Sequence, residues 1–153
     1  MSNYVKDTDL LLIGLGRTVQ RAAANLPQTA TGSLFAVSGG RVLVTSIVGQ
    51  VTTVIQAQAN AVKLRATPTT GSVNDMSGTV DINGAAVGSL LAATGLAGDA
   101  LVLSTGGAVS MLRNPILVAV GNIGLNTAAS STGQIKWTLT YIAYDLGAAV
   151  AAV

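Results

Sequence analysis

The stretch "QIKWTLTYIAYD", residues 134–145, decides the fold. Ile135, Trp137, Leu139, Tyr141 and Ala143 fall on one side of an extended chain, and Lys136, Thr138, Thr140, Ile142 and Tyr144 fall on the other. Strict alternation of apolar and polar residues over 135–141 is the signature of a half-buried strand. A one-residue slip would turn Trp137 outward, so the register is well specified. The same kind of reading extends upstream. In "NAVKLRAT" (60–67), Val62, Leu64 and Ala66 alternate with Lys63 and Arg65, a strand with its basic face outward.

Residues 33–58, "SLFAVSGGRVLVTSIVGQVTTVIQAQ", hold two apolar runs separated by Gly39–Gly40. This predicts a strand, a hairpin turn and a second strand rich in β-branched residues. The second run is nearly continuous in apolar residues, which suggests cover on both faces. Extended chain is expected to continue to about residue 68, with a bend or bulge at Gly49. "TPTTGSVND" (67–75) reads as a loop. "GTVDING" (78–84) reads as a short strand with Asp81 facing solvent.

Between 84 and 112, "VGSLL", "DALVLS" and "AVSML" are expected as short strands. They are separated by "TGLAG" and "TGG" turns, and these breaks with Asp99 argue against a membrane span. "NPILVAVGNIGLNT" (114–127) reads as one strand whose apolar phase changes midway, which a bulge at Gly121–Asn122 would accommodate. The closing "LGAAVAAV" is an apolar tail too short to span a bilayer. No βαβ pattern and no internal repeat is present. The expectation is an all-β fold, a β-sandwich, jelly-roll-like or barrel, of about eight to ten short strands.

Residues 1–32 read differently, as an extended N-terminal arm ahead of a β-domain at 33–153. "RTVQRAAANL" (17–26) is compatible with a short helical turn, although Arg17 and Arg21 are like charges at i, i+4, and Pro27 ends it. "LPQTATG" is an extended linker. The run Leu10, Leu11, Leu12, Ile13, Leu15 calls for burial without a long amphipathic element of its own. These residues, with Arg17 and Arg21, are the candidate inter-subunit contacts. Asp7 and Asp9 ahead of the run, and its shortness, do not fit a signal peptide.

Composition narrows the function classes. Of 153 residues, 9% are charged and 3% aromatic, with six Asp, no Glu, no His and no Cys. A typical soluble domain is about a quarter charged. A surface of Thr, Ser, Asn, Gln, Gly and Ala offers little electrostatic repulsion to close packing against other subunits. The net charge of +2 comes from scattered basic residues, which is unlike a nucleic-acid footprint. Disulfides, His-based catalysis and His/Cys zinc sites are excluded. "GLGRT" (14–18) lacks the third glycine of a dinucleotide fingerprint and the Gly-Lys-Ser/Thr of a Walker motif. The aspartates at 75, 81, 99 and 145 sit singly, mostly beside turns, where Asp caps backbone amides. No EF-hand-like loop is present. We therefore expect no catalytic residue, no metal and no cofactor, and a structural protein in place of an enzyme. Trp137 and Tyr141 belong to a core, Tyr144 to an interface, and Lys63 and Arg65 to a solvated strand face or to acidic partners.

Three phrases carry a resemblance to a known family. They are "ANLPQTATGSLFAVSGGRVLVTSIVGQVTTVIQAQANAVKL" (24–64), "TPTTG" (67–71) and "STGQIKWTLTYIAYDLGAAVAA" (131–152). Together they resemble the capsid decoration, or cement, proteins of tailed bacteriophages. The resemblance lies in overall phrasing over most of 23–152 and includes no chemical signature. It implies a β-rich subunit, a homotrimer, assembled in the host cytoplasm onto the exterior of the phage head. There it would clamp neighbouring major capsid proteins, with no nucleic-acid or membrane partner. The alternative within virions is a tail-tube, tail-terminator or fibre-associated subunit. A carbohydrate-binding sandwich is the competing class and would need more exposed aromatics than this chain has.

Overall fold

The computed structural model describes residues 16–110 and 113–153. Among them are twelve strands: β1 (Arg17–Asn25), β2 (Thr31–Ser38), β3 (Val42–Thr53), β4 (Ala61–Pro68), β5 (Asn74–Asp75), β6 (Val80–Asp81), β7 (Leu90–Ala92), β8 (Val102–Ser104), β9 (Ile116–Val118), β10 (Gly121–Thr127), β11 (Gln134–Ala143) and β12 (Ala149–Ala152). They form two antiparallel sheets of six strands. The first runs β1-β11-β3-β7-β8 with β9 also on β3, and the second runs β12-β2-β10-β4-β5 with β6 also on β4. The sheets do not close into a barrel, and the fold is that of a β-sandwich.

The decisive stretch is the spine of the first sheet. β11 pairs with β1 on one side and β3 on the other. Ile135, Trp137, Leu139 and Tyr141 are buried as the alternation requires, and Lys136, Thr138 and Thr140 alternate with them. Ala143, expected on the buried face, is exposed because the strand ends there. Facing this layer, the second sheet contributes Phe35, Val37, Val62, Leu64, Ile123 and Leu125 to one continuous core. Gly49 is no bulge. It stands opposite Trp137, and a Cβ there would lie 2.9 Å from the indole Cη2. The missing side chain is the space that the ring occupies.

The long apolar run at 42–51 has a different cause from the expected two-sided cover. Thr140 pairs with Ser46 but Tyr141 pairs with Val44, so β3 bulges at Thr45. Val42 and Val44 point inward before the bulge, and Ile47 and Val51 after it. Two alternations out of phase read as one continuous stretch.

Gly39–Gly40 is not a hairpin turn. β2 lies in the second sheet and β3 in the first, so the pair is an arch between layers. The glycines suit it for a steric reason: Gly39 has φ +73, and its missing Cβ would meet the Gly147 carbonyl oxygen at 2.3 Å. Residues 116–127 also change sheets. β9 pairs with β3, whereas β10 lies between β2 and β4. The phase change between Val118 and Ile123 is thus a crossing, not the expected bulge in one strand. "VIQAQAN" leaves the extended path as a connection between β3 and β4. "AVSML" is not a strand over its described residues, 108–110.

The segment "RTVQRAAAN" is strand β1, not a helical turn. It pairs antiparallel with β11 from Arg17↔Tyr141 to Asn25↔Gln134, with an irregularity between Arg21 and Ala24. The like charges that weaken a helix sit on an exposed strand edge, where neither opposes the other. β2 starts at Thr31, so the boundary between arm and β-domain drawn at residues 32 and 33 cuts through a sheet. The closing "AVAA" is β12, on the free side of β2.

Candidate assembly surface

One end of the sandwich gathers the arch at 39–41, the crossing at 119–120 and the β11–β12 connection at 144–148. Arg41 organises it. Its backbone N–H and its Nε both donate to Asp145 Oδ2 at 2.8 Å, and a terminal guanidinium nitrogen donates to Oδ1 at 2.8 Å. The Arg41 carbonyl in turn accepts from the N–H groups of Tyr144 (3.1 Å) and Asp145 (3.2 Å). The guanidinium carbon lies 4.9 Å from the Tyr144 ring centroid, a cation–π distance. The Asp145 carboxyl is held down to about 2 by the Arg41 guanidinium and then by the Arg41 backbone N–H. Gly40 completes the fit, since a Cβ there would lie 2.7 Å from Asp145 Cβ.

This clasp fixes the turn that carries Leu146, and Leu146 is 102% exposed. Tyr144 is 58% exposed beside it. The outer face of the first sheet continues the apolar surface: Ile142 is paired with Leu43 and Leu43 with Leu117, and Ile142 and Leu117 are both exposed. Val120 is exposed and lines a groove together with Arg41. Two open grooves flank the clasp and share Asp145 as a wall. One, of about 500 Å³, lies between Arg17 and Tyr144–Ala149. The other, of about 420 Å³, lies between Arg41, Thr69–Thr70 and Ala119–Val120.

The sequence-derived candidates separate into three groups. Leu10, Leu11, Leu12, Ile13 and Leu15 lie outside the described residues. Arg17 lines the larger groove. Arg21 is engaged within the chain: its Nε donates to the Val153 carbonyl at 2.6 Å, tying β1 to the end of β12. The described chain begins at Gly16, whose position is packed on the Tyr141 carbonyl and Ile142; the apolar run 10–15 directly precedes it in sequence.

Lys63 and Arg65 are paired within the chain. Lys63 Nζ donates to Asp75 Oδ2 at 2.6 Å and Arg65 Nε to Asp75 Oδ1 at 2.8 Å. The register Arg65↔Asp75 places the carboxylate between them, and chiefly the Lys63 bond lowers the Asp75 carboxyl below its ordinary range. Asp81 caps the N–H groups of Asn60 (2.8 Å) and Asn83 (3.0 Å), the role expected of an Asp beside a turn. Leu146 and the Arg41–Asp145 pair escaped the sequence reading. A large apolar residue between Asp and Gly in a turn was the available signal for Leu146, but it was absorbed into an apolar tail.

No family model, curated protein or solved structure matches this chain.

Proposed function

We propose that this protein is a structural virion subunit that binds the outside of a phage head. It would cement neighbouring major capsid proteins, as a homotrimer, through the surface around Leu146. The observation that carries the proposal is a leucine fully exposed on a turn that three hydrogen bonds from Arg41 to the neighbouring Asp145 tie to the arch. A large side chain in that setting gains only when a partner removes it from water. Full burial of one leucine contributes roughly 1.5–3 kcal/mol. Tyr144, Ile142, Leu117 and Val120 widen the apolar area, and apolar patches rimmed by polar groups mark interaction sites. Because the turn is already ordered, little conformational entropy is lost when it docks.

Three further features support the reading. The chain is 9% charged, which suits dense packing on a shell. The apolar run of residues 10–15 directly precedes, in sequence, Gly16, which packs on Ile142 at this end of the sandwich. The phrasing of residues 23–152 resembles capsid decoration proteins. Three linked copies would add avidity on a repetitive surface without any new contact.

The test is light scattering of the purified full chain, followed by cosedimentation with expanded heads that lack it. The proposal expects a trimer and saturable binding to heads. Six-membered rings that ignore heads would favour a tail-tube or tail-terminator subunit.

A further inference from the structure

We infer that Asn83 deamidates and forms isoaspartate spontaneously in the folded protein. The reaction needs three things: an unhindered backbone nitrogen after the asparagine, a carboxamide free to swing onto it, and a pliable backbone. Asn83–Gly84 is the sole Asn-Gly step in the sequence. The pair forms the middle of a turn closed by the Ala85 N–H on the Ile82 carbonyl at 3.1 Å. Gly84 takes the position of positive φ (+62), where glycine is preferred. The space beside its Cα is open to 4 Å.

Asn83 is exposed. Its backbone N–H is held by Asp81, but its carboxamide makes no hydrogen bond among the described residues. The opposing restraints are a long bond from the Gly84 N–H to the Gln56 carbonyl at 3.3 Å and, one residue on, the bond from the Ile55 N–H to the carbonyl of buried Ala85 at 3.0 Å. A second turn follows at once, closed by the Ser89 N–H on the Ala86 carbonyl, with Val87 63% exposed and the Gly88 N–H donating to the Val51 carbonyl at 2.9 Å. Asn83 and Gly84 are therefore the exposed tip of a double turn that is anchored behind them by buried Ala85 and by Gly88, so the freedom the reaction needs is local to the Asn-Gly step. Asn60 is the contrast: it is fully buried, its Nδ2 donates to the Ala129 carbonyl and Ser131 Oγ, and its Oδ1 accepts from the Ala129 N–H.

The chemistry needs only water. The Gly84 nitrogen gives its proton to solvent base and attacks Asn83 Cγ. The Cγ–N bond breaks, ammonia leaves and a five-membered imide closes. Water then opens the ring at either carbonyl, yielding aspartate or isoaspartate. One water enters, one ammonia departs and nothing is oxidised or reduced.

The product changes the fold locally. A new carboxylate stands two residues from Asp81 and removes one unit from the net charge of +2. The isoaspartyl product also lengthens the backbone inside the turn. That disturbs the Gly84–Gln56 bond and the neighbouring bond from the Ile55 N–H to the Ala85 carbonyl (3.0 Å), which together hold the β3–β4 connection.

The test is incubation of the full chain at mildly alkaline pH, with isoaspartyl methyltransferase labelling and peptide mapping, beside the same chain unfolded in urea. Labelling is expected at residue 83 ahead of every other asparagine, at a rate no more than about fivefold below that of the unfolded chain. Asn83→Gln, whose longer side chain does not form the five-membered ring, should abolish the label at this site. Greater slowing on folding, earlier labelling at another asparagine, or labelling of residue 83 that survives Asn83→Gln would each overturn the inference.

Discussion

Arg41 and Asp145 are joined by three hydrogen bonds of 2.8 Å, one from the arginine backbone and two from its side chain. The arch between the two sheets and the turn before β12 are thereby one unit, although 104 residues separate them in sequence. Leu146, next to Asp145 in that turn, is presented from this unit, while Ile142 and Leu117 beside it are placed by strand pairing.

The first prediction concerns pH. The Asp145 carboxyl is lowered from 3.8 to about 2 in the folded chain by Arg41. A depressed carboxyl adds stability that is complete above its unfolded value and is lost as pH falls through its folded value. The contribution of the clasp to stability should therefore be complete above about pH 4, decline below that and be lost as pH falls through 2, where half of the Asp145 carboxyls are protonated in the folded chain. The Asp145 side-chain carbon shift, followed by NMR, should titrate with a midpoint near 2 in the full chain. In Arg41→Gln it should return toward 3.8.

Leu146→Asp separates assembly from folding. The side chain has no packing to lose, so stability in urea should change by no more than about 0.5 kcal/mol. Binding through this surface should fall by at least about tenfold, since burying one leucine is worth roughly 1.5–3 kcal/mol. Equilibrium unfolding and a binding isotherm read the two effects independently.

Gly49→Ala should act in the opposite way. The new methyl would meet the Trp137 ring at 2.9–3.0 Å on three atoms, and overpacking of this kind costs about 1–3 kcal/mol. Trp137 is 1% exposed, so its emission reports the core directly. The variant should shift the urea midpoint down and redden Trp137 emission, while leaving the Leu146 surface chemically unchanged.

Asn60→Ala removes the partner of the Ala129 N–H and carbonyl and of Ser131 Oγ, next to the Asp81 cap. Each buried group left without a partner costs about 1–3 kcal/mol. A loss of that size or more in urea unfolding is expected, with hydrogen exchange rising first around residues 128–131.

Strand character was legible wherever side chains alternate without interruption, as at Ile135–Tyr141 and Val62–Ala66. It was misread where the chain changes layer. Gly39–Gly40 between apolar runs has the local composition of a hairpin, and only the contact with Gly147 and Asp145, a hundred residues on, makes it an arch. Residues 118–123 mislead in the same way, because a crossing and a bulge both shift apolar phase by one. β1 reads as part of an arm because its alanine run suits a helical turn and the apolar run before it asks for a partner outside a local element. What makes it a strand is β11, which needs a partner on its far side. The candidate surface was least legible of all. Arg41, Asp145 and Leu146 come from two distant turns, and composition around each suggests only a loop.

β1 also changes how the N-terminal run is to be probed. Deleting residues 1–25 would strip β11 of its neighbour and expose its edge. Leu11→Asp with Leu12→Asp changes no residue of a described strand and should weaken head binding without lowering the urea midpoint.

The most direct measurement is cosedimentation of full-length wild-type chain and of Leu146→Asp with expanded heads that lack this protein, at equal protein concentration. The account predicts saturable wild-type occupancy and loss of binding by Leu146→Asp, with the variant still folded. Wild-type chain that stays in the supernatant, or a Leu146→Asp chain that binds as the wild type does, would contradict it.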